Sequence, residues 1–304
     1  MKWRGIVTAP GLVLCIYLLL LCTRLLDTTA LSAGNGYLTV GVLQLLIYLL
    51  PAAIYCKLRG EKFRTHLRIR PVGLEQLLVV LAGAVVLICG GLLIGFALGG
   101  MEQLGDQITL YDRFAAADPD GAGEMLYAVL AFALLPAVCE EFVFRAVLCA
   151  EFEVNGLPAA VLSSALFFAM LHFELVQFPI YFFAGVLLAL VLYATRSVLG
   201  PIIVHFCYNL FGLFGRPYIT EFYDRTGSTE LFIFLLLVLF LLALMLFFGE
   251  AARTYRGYAR RGITSPYHRT RTAQEKAAFP FFEALLTPLA LICALLYLVV
   301  IMAA

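Results

Sequence analysis

Long apolar runs, separated by short polar connections, make up most of this chain. A membrane helix needs about 20 residues to cross about 30 Å of hydrocarbon. The runs that approach this length and are nearly free of charge cover residues 5–23, 37–56, 74–98, 125–149, 156–172, 179–196, 199–215, 231–249 and 284–303. The fifth and seventh runs are short. The pattern predicts an all-α protein, a polytopic transmembrane helical bundle of about nine spans, with residues 1–304 forming a single transmembrane domain.

Composition supports a membrane protein and excludes two other classes. The 304 residues are 63% hydrophobic and 13% charged, with a mean hydropathy of +0.96. Water-soluble domains and disordered chains do not carry so much apolar residue. The net charge is +1, and no basic stripe is interleaved with aromatics. We therefore expect the lipid bilayer as a partner and no nucleic acid.

Basic residues predict the orientation. They concentrate in two connections, residues 57–70 and 253–276. With nine spans, both connections fall on the same side as the N-terminus. Short loops rich in Lys and Arg stay in the cytoplasm. The sequence thus predicts a cytoplasmic N-terminus in a multi-pass protein of the plasma (inner) membrane.

Three of the apolar runs contain polar side chains that lipid does not tolerate. An ionised side chain at the centre of a bilayer costs at least about 2.5 kcal/mol, so each needs a reason. The fourth run has Glu-Glu-Phe-Val-Phe-Arg, the fifth ends in Phe-Ala-Met-Leu-His, and the seventh has His-Phe-Cys-Tyr-Asn. The candidate residues are Glu140, Glu141, Arg145, Phe168, His172, His205 and Asn209.

Helical spacing divides these residues into pairs. Glu141 and Arg145 are four apart and share a helix face, as do His205 and Asn209. Glu140 points about 100° away from Glu141, so the same ion pair does not absorb it. Each helix therefore presents a narrow polar face, and burying the three faces together hides them from lipid.

Two explanations compete for this cluster. A Glu–Arg pair beside a histidine can simply clamp helices, since polar contacts between membrane helices average about 0.6 kcal/mol. However, two acids, two histidines, an amide and a guanidinium exceed what clamping needs, which favours a functional site.

The residue types suit hydrolysis of an amide by activated water. Glu140 with His172 can act as general base, and His205 with Asn209 can donate hydrogen bonds to an oxyanion. Alternatively, Glu140, His172 and His205 resemble the two-His-one-Glu ligand set of hydrolytic zinc sites. There is no H-E-x-x-H motif. The residues alone leave metal-bound and carboxylate-activated water open.

The motifs E-E-x-x-x-R, F-x-x-x-H and H-x-x-x-N, in this order, resemble the CAAX protease and bacteriocin-processing family, the type II CAAX prenyl endopeptidase-like group. The resemblance covers a core of about residues 125–215. It implies a helical membrane bundle whose polar cavity opens toward the cytoplasm. It also implies roles for the site residues: Glu140 and His172 activate water, His205 and Asn209 form the oxyanion site, and Glu141, Arg145 and Phe168 support the site. We favour a glutamate mechanism without a cofactor, with zinc as the alternative.

The predicted function is an intramembrane endopeptidase that cuts a membrane-associated, lipidated or hydrophobic peptide. The alternatives are a non-catalytic immunity or scaffold protein of the same fold and a proton-coupled transporter. The absence of internal repeats speaks against a transporter.

One expectation about depth accompanies this prediction. Counted along the runs, His172 lies at the far end of the fifth run and His205 near the cytoplasmic start of the seventh. Both can meet Glu140 only if these short helices are tilted or the run boundaries are wrong.

Overall fold

The computed structural model describes residues 3–24, 36–105, 122–263 and 280–303, and within these ranges the chain is helical, with no strand. The prediction of an all-α fold is confirmed. The helices are α1 (Trp3–Arg24), α2 (Gly36–Arg59), α3 (Leu77–Gly105), α4 (Met125–Asn155), α5 (Leu157–Met170), α6 (Phe178–Thr195), α7 (Leu199–Phe214), α8 (Arg216–Thr226), α9 (Thr229–Arg260), α10 (Pro280–Leu285) and α11 (Pro288–Ala303).

Every predicted span falls on a helix, but the helices differ in length. Among the described residues, five are long and apolar enough to cross a membrane: α2, α3, α4, α6 and α9. The apolar parts of α1, α5, α7 and α11 are shorter, at 10–17 residues. The protein is thus an integral membrane protein, while the count of nine crossings and the side of each terminus stay predictions.

Two predicted runs differ in extent from the helices that contain them. The eighth run ends at residue 249, but α9 continues to Arg260, because hydropathy marks the edge of the apolar region and no Pro interrupts the helix beyond it. The ninth run, 284–303, is divided between α10 and α11, because Pro288 lacks the amide hydrogen needed to continue a helix. Of the basic connection 253–276, residues 264–276 lie outside the described part.

The core forms where the middle helices pack against one another. α3 lies against α9, α6 and α7, and α5 packs closely on α6. A glycine permits the closest approach: a Cβ on Gly185 of α6 would lie 2.7 Å from Cα of Ala165 in α5. Small residues at such crossings let backbones approach within membranes. This contact fixes α6 beside the helices that carry the polar residues.

The turn between α6 and α7 is anchored by the segment that precedes α3. Arg70 Nε donates to the carbonyl of Arg196 at 2.5 Å, and the Ser197 hydroxyl donates to the carbonyl of Arg70. The Val198 amide donates to the carbonyl of Arg68 at 3.1 Å. Because α7 begins directly after this turn, these bonds position the helix that carries His205 and Asn209.

Candidate active site

Three π-helical turns surround the paired glutamates. Glu140 and Glu141 end an α-helical stretch, Leu135–Glu141, that lies between the π-helical segments Val129–Leu134 and Phe142–Leu148. A third π-helical turn, Leu45–Leu49 in α2, packs against this stretch. Such turns are rare and occur frequently at functional sites, because they widen the helix and change the direction of nearby side chains. The glutamates therefore lie at the most irregular point of α4.

Glu141 is held by two partners from different helices. Its Oε1 accepts a hydrogen bond from Nη1 of Arg145 at 3.0 Å and lies 2.9 Å from Nδ1 of His205. Glu141 and Arg145 are fully buried, and His205 is 6% exposed. The carboxylate paired with a guanidinium can only accept, so Nδ1 of His205 carries the hydrogen. Nε2 is therefore the polar atom that His205 has left for other partners.

Arg145 makes further contacts that hold α4 against α5 and α6. Its Nη2 donates to the carbonyl of Gly185 at 3.2 Å, and its guanidinium carbon lies 4.4 Å from the centre of the Phe168 ring. A cation over an aromatic face contributes about 1–2 kcal/mol when it is removed from water. Arg145 thus ties three helices together.

Phe168 lies at the centre of the cluster. Besides Arg145, its ring meets His172 and His205 edge to face, with centroid distances of 5.2 Å and 5.9 Å. Phe144 packs on it at 5.4 Å. The two histidines therefore contact one aromatic ring, although counting along the runs placed them at opposite ends of their spans.

His172 is fixed on several sides. Its Nδ1 lies 3.1 Å from the carbonyl of Phe168, which can only accept, so Nδ1 carries the hydrogen and Nε2 a lone pair in the neutral ring. Tyr181 stacks on the imidazole with a centroid distance of 3.6 Å and an interplanar angle of 11°. The hydroxyl of Tyr181 donates to Oε1 of Gln177 at 3.0 Å. The ring therefore has a defined tautomer and a defined orientation.

Tyr181 was missed by the sequence analysis. It lies in the first turn of α6, among other aromatic residues in an apolar run. Its i, i+4 spacing from Gln177 was a visible signal for a hydrogen bond. Nothing in the sequence, however, indicated that the turn between α5 and α6 would fold Tyr181 back onto His172.

Glu140 differs from its neighbour in having no hydrogen-bond or ion-pair partner among the described residues. It is 8% exposed, and within the described ranges its carboxylate forms neither a hydrogen bond nor an ion pair. The charged groups within electrostatic range are His205, Glu141 and Arg145. The Tyr48 and Tyr181 side chains are also within range. The carboxylate thus faces the polar cluster and remains available to another molecule.

Asn209 lies one turn beyond His205 on α7. Its Nδ2 donates to the carbonyl of Ala133 at 3.3 Å, in the π-helical turn that precedes Glu140. This bond fixes the amide plane and leaves the second Nδ2 hydrogen unused within the described chain. The side chain is half-buried.

The sequence raised the alternative of a metal held by Glu140, His172 and His205. In the part of the chain that the structure describes, no three His, Cys, Asp or Glu side chains are gathered as a possible ligand set. The Nδ1 of each histidine is already directed to another acceptor, Glu141 or the Phe168 carbonyl. Bonds of this kind at Nδ1 leave Nε2 of both histidines as the possible metal ligand. A zinc ion held by Glu140, His172 and His205 therefore stays a prediction.

The fold and the cluster define a class: a helical integral membrane protein with acid, imidazole and amide groups buried between α4, α5 and α7. Comparison with known families agrees. Residues 122–211 match the family model described as Type II CAAX prenyl endopeptidase Rce1-like. This match covers 90 of the 304 residues, contains the three motifs, and supports the family resemblance predicted from them. Neither the curated proteins nor the solved structures contain a match to this chain.

Proposed function

We propose that this protein is a glutamate-dependent intramembrane endopeptidase that hydrolyses a peptide bond in a hydrophobic or lipidated peptide at the plasma membrane. One observation carries the proposal: two adjacent buried glutamates have opposite surroundings. Glu141 accepts bonds from Arg145 and His205, whereas Glu140 has no partner within the described residues. A structural clamp between helices explains the bonds of Glu141. It does not explain the buried carboxylate of Glu140, which therefore requires another explanation.

Glu140 and His172 suit activation of water. Glu140 offers a carboxylate without a competing donor, and His172 offers an Nε2 lone pair whose direction is set by Tyr181 and the Phe168 carbonyl. A water held between them loses a proton to Glu140 as its oxygen attacks the carbonyl carbon of the peptide. Positioned general bases of this kind contribute about 10²–10⁴ in rate.

Asn209 and His205 suit stabilisation of the negative charge that this attack creates. The free Nδ2 hydrogen of Asn209 can donate to the oxyanion, and so can Nε2 of His205 when that ring is protonated. In that state Glu141 is the counter-ion of the imidazolium. Donors held in place before the reaction contribute about 3–4 kcal/mol each.

The tetrahedral intermediate then collapses. Protonated Glu140 returns its proton to the departing amine nitrogen and the C–N bond breaks, which gives a carboxylic acid and an amine; the acid then passes its proton to the amine, leaving a carboxylate and an ammonium group. Every proton in this sequence comes from the water, so no further reactant is needed. Zinc remains the alternative cofactor. Activity that survives strong chelation would support the metal-free form, whereas activity that is lost on chelation and restored by added Zn²⁺ would support zinc.

Comparative peptidomics tests the proposal. Membranes from cells that lack the native protein are complemented with wild type or with Glu140→Gln at matched levels. New C-termini present only with wild type would establish proteolysis, and their sequences would identify the substrate. Identical profiles, with a known phenotype rescued by both proteins, would refute proteolysis and favour a non-catalytic member of the fold. Proton flux through wild-type liposomes would favour a transporter instead.

A further inference from the structure

A cavity lies between α1 and α2, away from the glutamates. Its volume is about 680 Å³, and most of its lining is apolar, including Leu12, Leu19, Leu50 and Ile54. It extends from Thr8 to Leu19 on α1 and from Leu46 to Arg59 on α2. At 1.5 Å per helical residue these stretches are about 16 Å and 20 Å long. One leaflet of the hydrocarbon core is about 15 Å thick, so the groove has the length of one lipid chain.

One end of this groove is polar, and the rest is not. At this end the Thr8 hydroxyl lies 3.0 Å from that of Tyr55, which donates to Glu151 at 2.9 Å. Arg59 binds the same carboxylate through Nε at 2.5 Å and Nη2 at 2.7 Å. A groove that is polar at one end and apolar along its length matches an amphiphile.

Arg59 is held so that part of its guanidinium stays available. Glu151 uses Nε and Nη2, so Nη1 has no hydrogen-bond partner within the described ranges. The side chain is 27% exposed, whereas Glu151 is 4% exposed. A guanidinium fixed in this way presents Nη1 at the mouth of the groove at little entropic cost, which suits a phosphate oxygen.

Further positive charge lies around the same end. Lys57 and Lys62 are exposed and lie close to Arg59 in the sequence, on either side of the helix end at Arg59, and Arg64 is exposed nearby. The exposed acid among them is Glu61, which pairs with Arg64 at 3.4 Å. Basic residues near an anionic membrane surface are attracted to it. The mouth therefore favours an anionic headgroup over a zwitterionic one.

We propose that this groove binds one anionic phospholipid, with an acyl chain along α1 and α2 and its phosphate at Arg59, while the exposed Lys57 and Lys62 attract the anionic headgroup to this end of the groove. The open side supports entry from the bilayer, because Leu50 and Ile54 are 49% and 52% exposed. The site would make the protein sensitive to membrane composition. It does not depend on proteolysis, since none of the groove residues belongs to the glutamate cluster.

Native mass spectrometry of the full chain tests this site. Protein in detergent is incubated with dioleoyl phosphatidylglycerol or dioleoyl phosphatidylcholine, and the number of lipid molecules that stay bound to each protein is counted. We expect one copy of phosphatidylglycerol, retained at least about tenfold better than phosphatidylcholine. The double variant Lys57→Gln with Lys62→Gln should lose most of that preference, while Arg256→Gln with Arg260→Gln, a matched loss of charge elsewhere, should keep it. Glycerol phosphate alone should not displace the lipid, because it lacks the chain.

Filling the groove provides the second arm. Ile54→Trp places a ring in the cavity and should reduce retention at least fivefold. Val42→Trp, on the same helix and 45% exposed but outside the groove, serves as its control. Both variants must melt within a few degrees of wild type for the comparison to count. If Ile54→Trp melts lower than that, Leu50→Trp replaces it. Equal retention of the two lipids by wild type would overturn the proposal, as would equal retention of phosphatidylglycerol by the groove-filled protein and its control.

Discussion

The same substitution at Glu140 and at Glu141 should have opposite consequences. Glu141→Gln removes the negative charge that faces Arg145, whose side chain is fully buried. The guanidinium keeps its contacts with the Gly185 carbonyl and the Phe168 ring but loses its ion-pair partner. Removing one partner of a buried ion pair costs about 3–5 kcal/mol. At about 2 °C per kcal/mol for a chain of this size, the melting temperature should fall by at least about 6 °C.

Glu140→Gln should leave stability almost unchanged and abolish activity. Glu140 has no hydrogen bond to lose among the described residues, and Gln has nearly the same volume. We expect a change in melting temperature within about 2 °C, as for substitutions that break no contact. Loss of the general base should lower kcat by about 10²–10⁴.

The assay pairs scanning fluorimetry in one detergent with turnover of a fluorogenic peptide built on the cleavage site found by peptidomics. Wild type and both variants are measured at equal amounts of folded protein. The reasoning fails if Glu140→Gln melts as low as Glu141→Gln, because Glu140 would then have a structural partner. It also fails if Glu140→Gln keeps wild-type turnover.

Two further substitutions test the surroundings of the site. Gly185→Ala should lower the melting temperature by several degrees, because the new Cβ would lie 2.7 Å from Cα of Ala165 and overpacking costs about 1–3 kcal/mol. Gly212→Ala, where a Cβ meets nothing within 4 Å, should be neutral, and equal melting of the two would contradict the close approach. Tyr181→Leu should lower kcat about tenfold with KM unchanged, because the stack that orients His172 is lost. Tyr181→Phe keeps the stack and should retain most of the turnover, so equal losses in both variants would shift the role to the hydroxyl.

Local spacing predicted part of the site well. The i, i+4 rule placed Glu141 beside Arg145, and the structure has that bond at 3.0 Å. It also separated Glu140 from the ion pair, and within the described residues no hydrogen bond or ion pair joins Glu140 to Arg145. Both inferences depend on helix geometry alone, which is nearly independent of the rest of the fold.

Contacts between helices could not be predicted in this way. The bond from His205 to Glu141 joins residues 64 positions apart, and the Tyr181 stack depends on how one turn folds. The π-helical turns were equally hidden, since their residues have ordinary helical propensities. The depth of a residue along its span could not be predicted either, because counting residues treats all helices as parallel and ignores the reach of Glu and His side chains.

By residue count, the hairpin of α4 and α5 gives Glu140 and His172 similar distances from the turn that joins the two helices. Glu140 is 15 residues before Asn155, and His172 is 15 residues after Leu157, where α5 begins. Each lies about 22 Å from the same turn. Because α5 has 14 residues, about 21 Å, it ends before crossing a core about 30 Å thick, and the turn after it is expected inside the bilayer.

Irregular backbone at that depth needs hydrogen-bond partners from the protein. The turn supplies several of its own, including Phe173 N to Met170 O at 3.2 Å and Phe178 N to Leu175 O at 3.2 Å. The hydroxyl of Tyr297 in α11 donates to the Glu174 carbonyl at 3.4 Å. Leu175 is 62% exposed, as expected for a side chain in contact with lipid rather than water. The short α5 thus suits the proposed chemistry, because its early end leaves His172 beside the Phe168 ring that His205 also contacts.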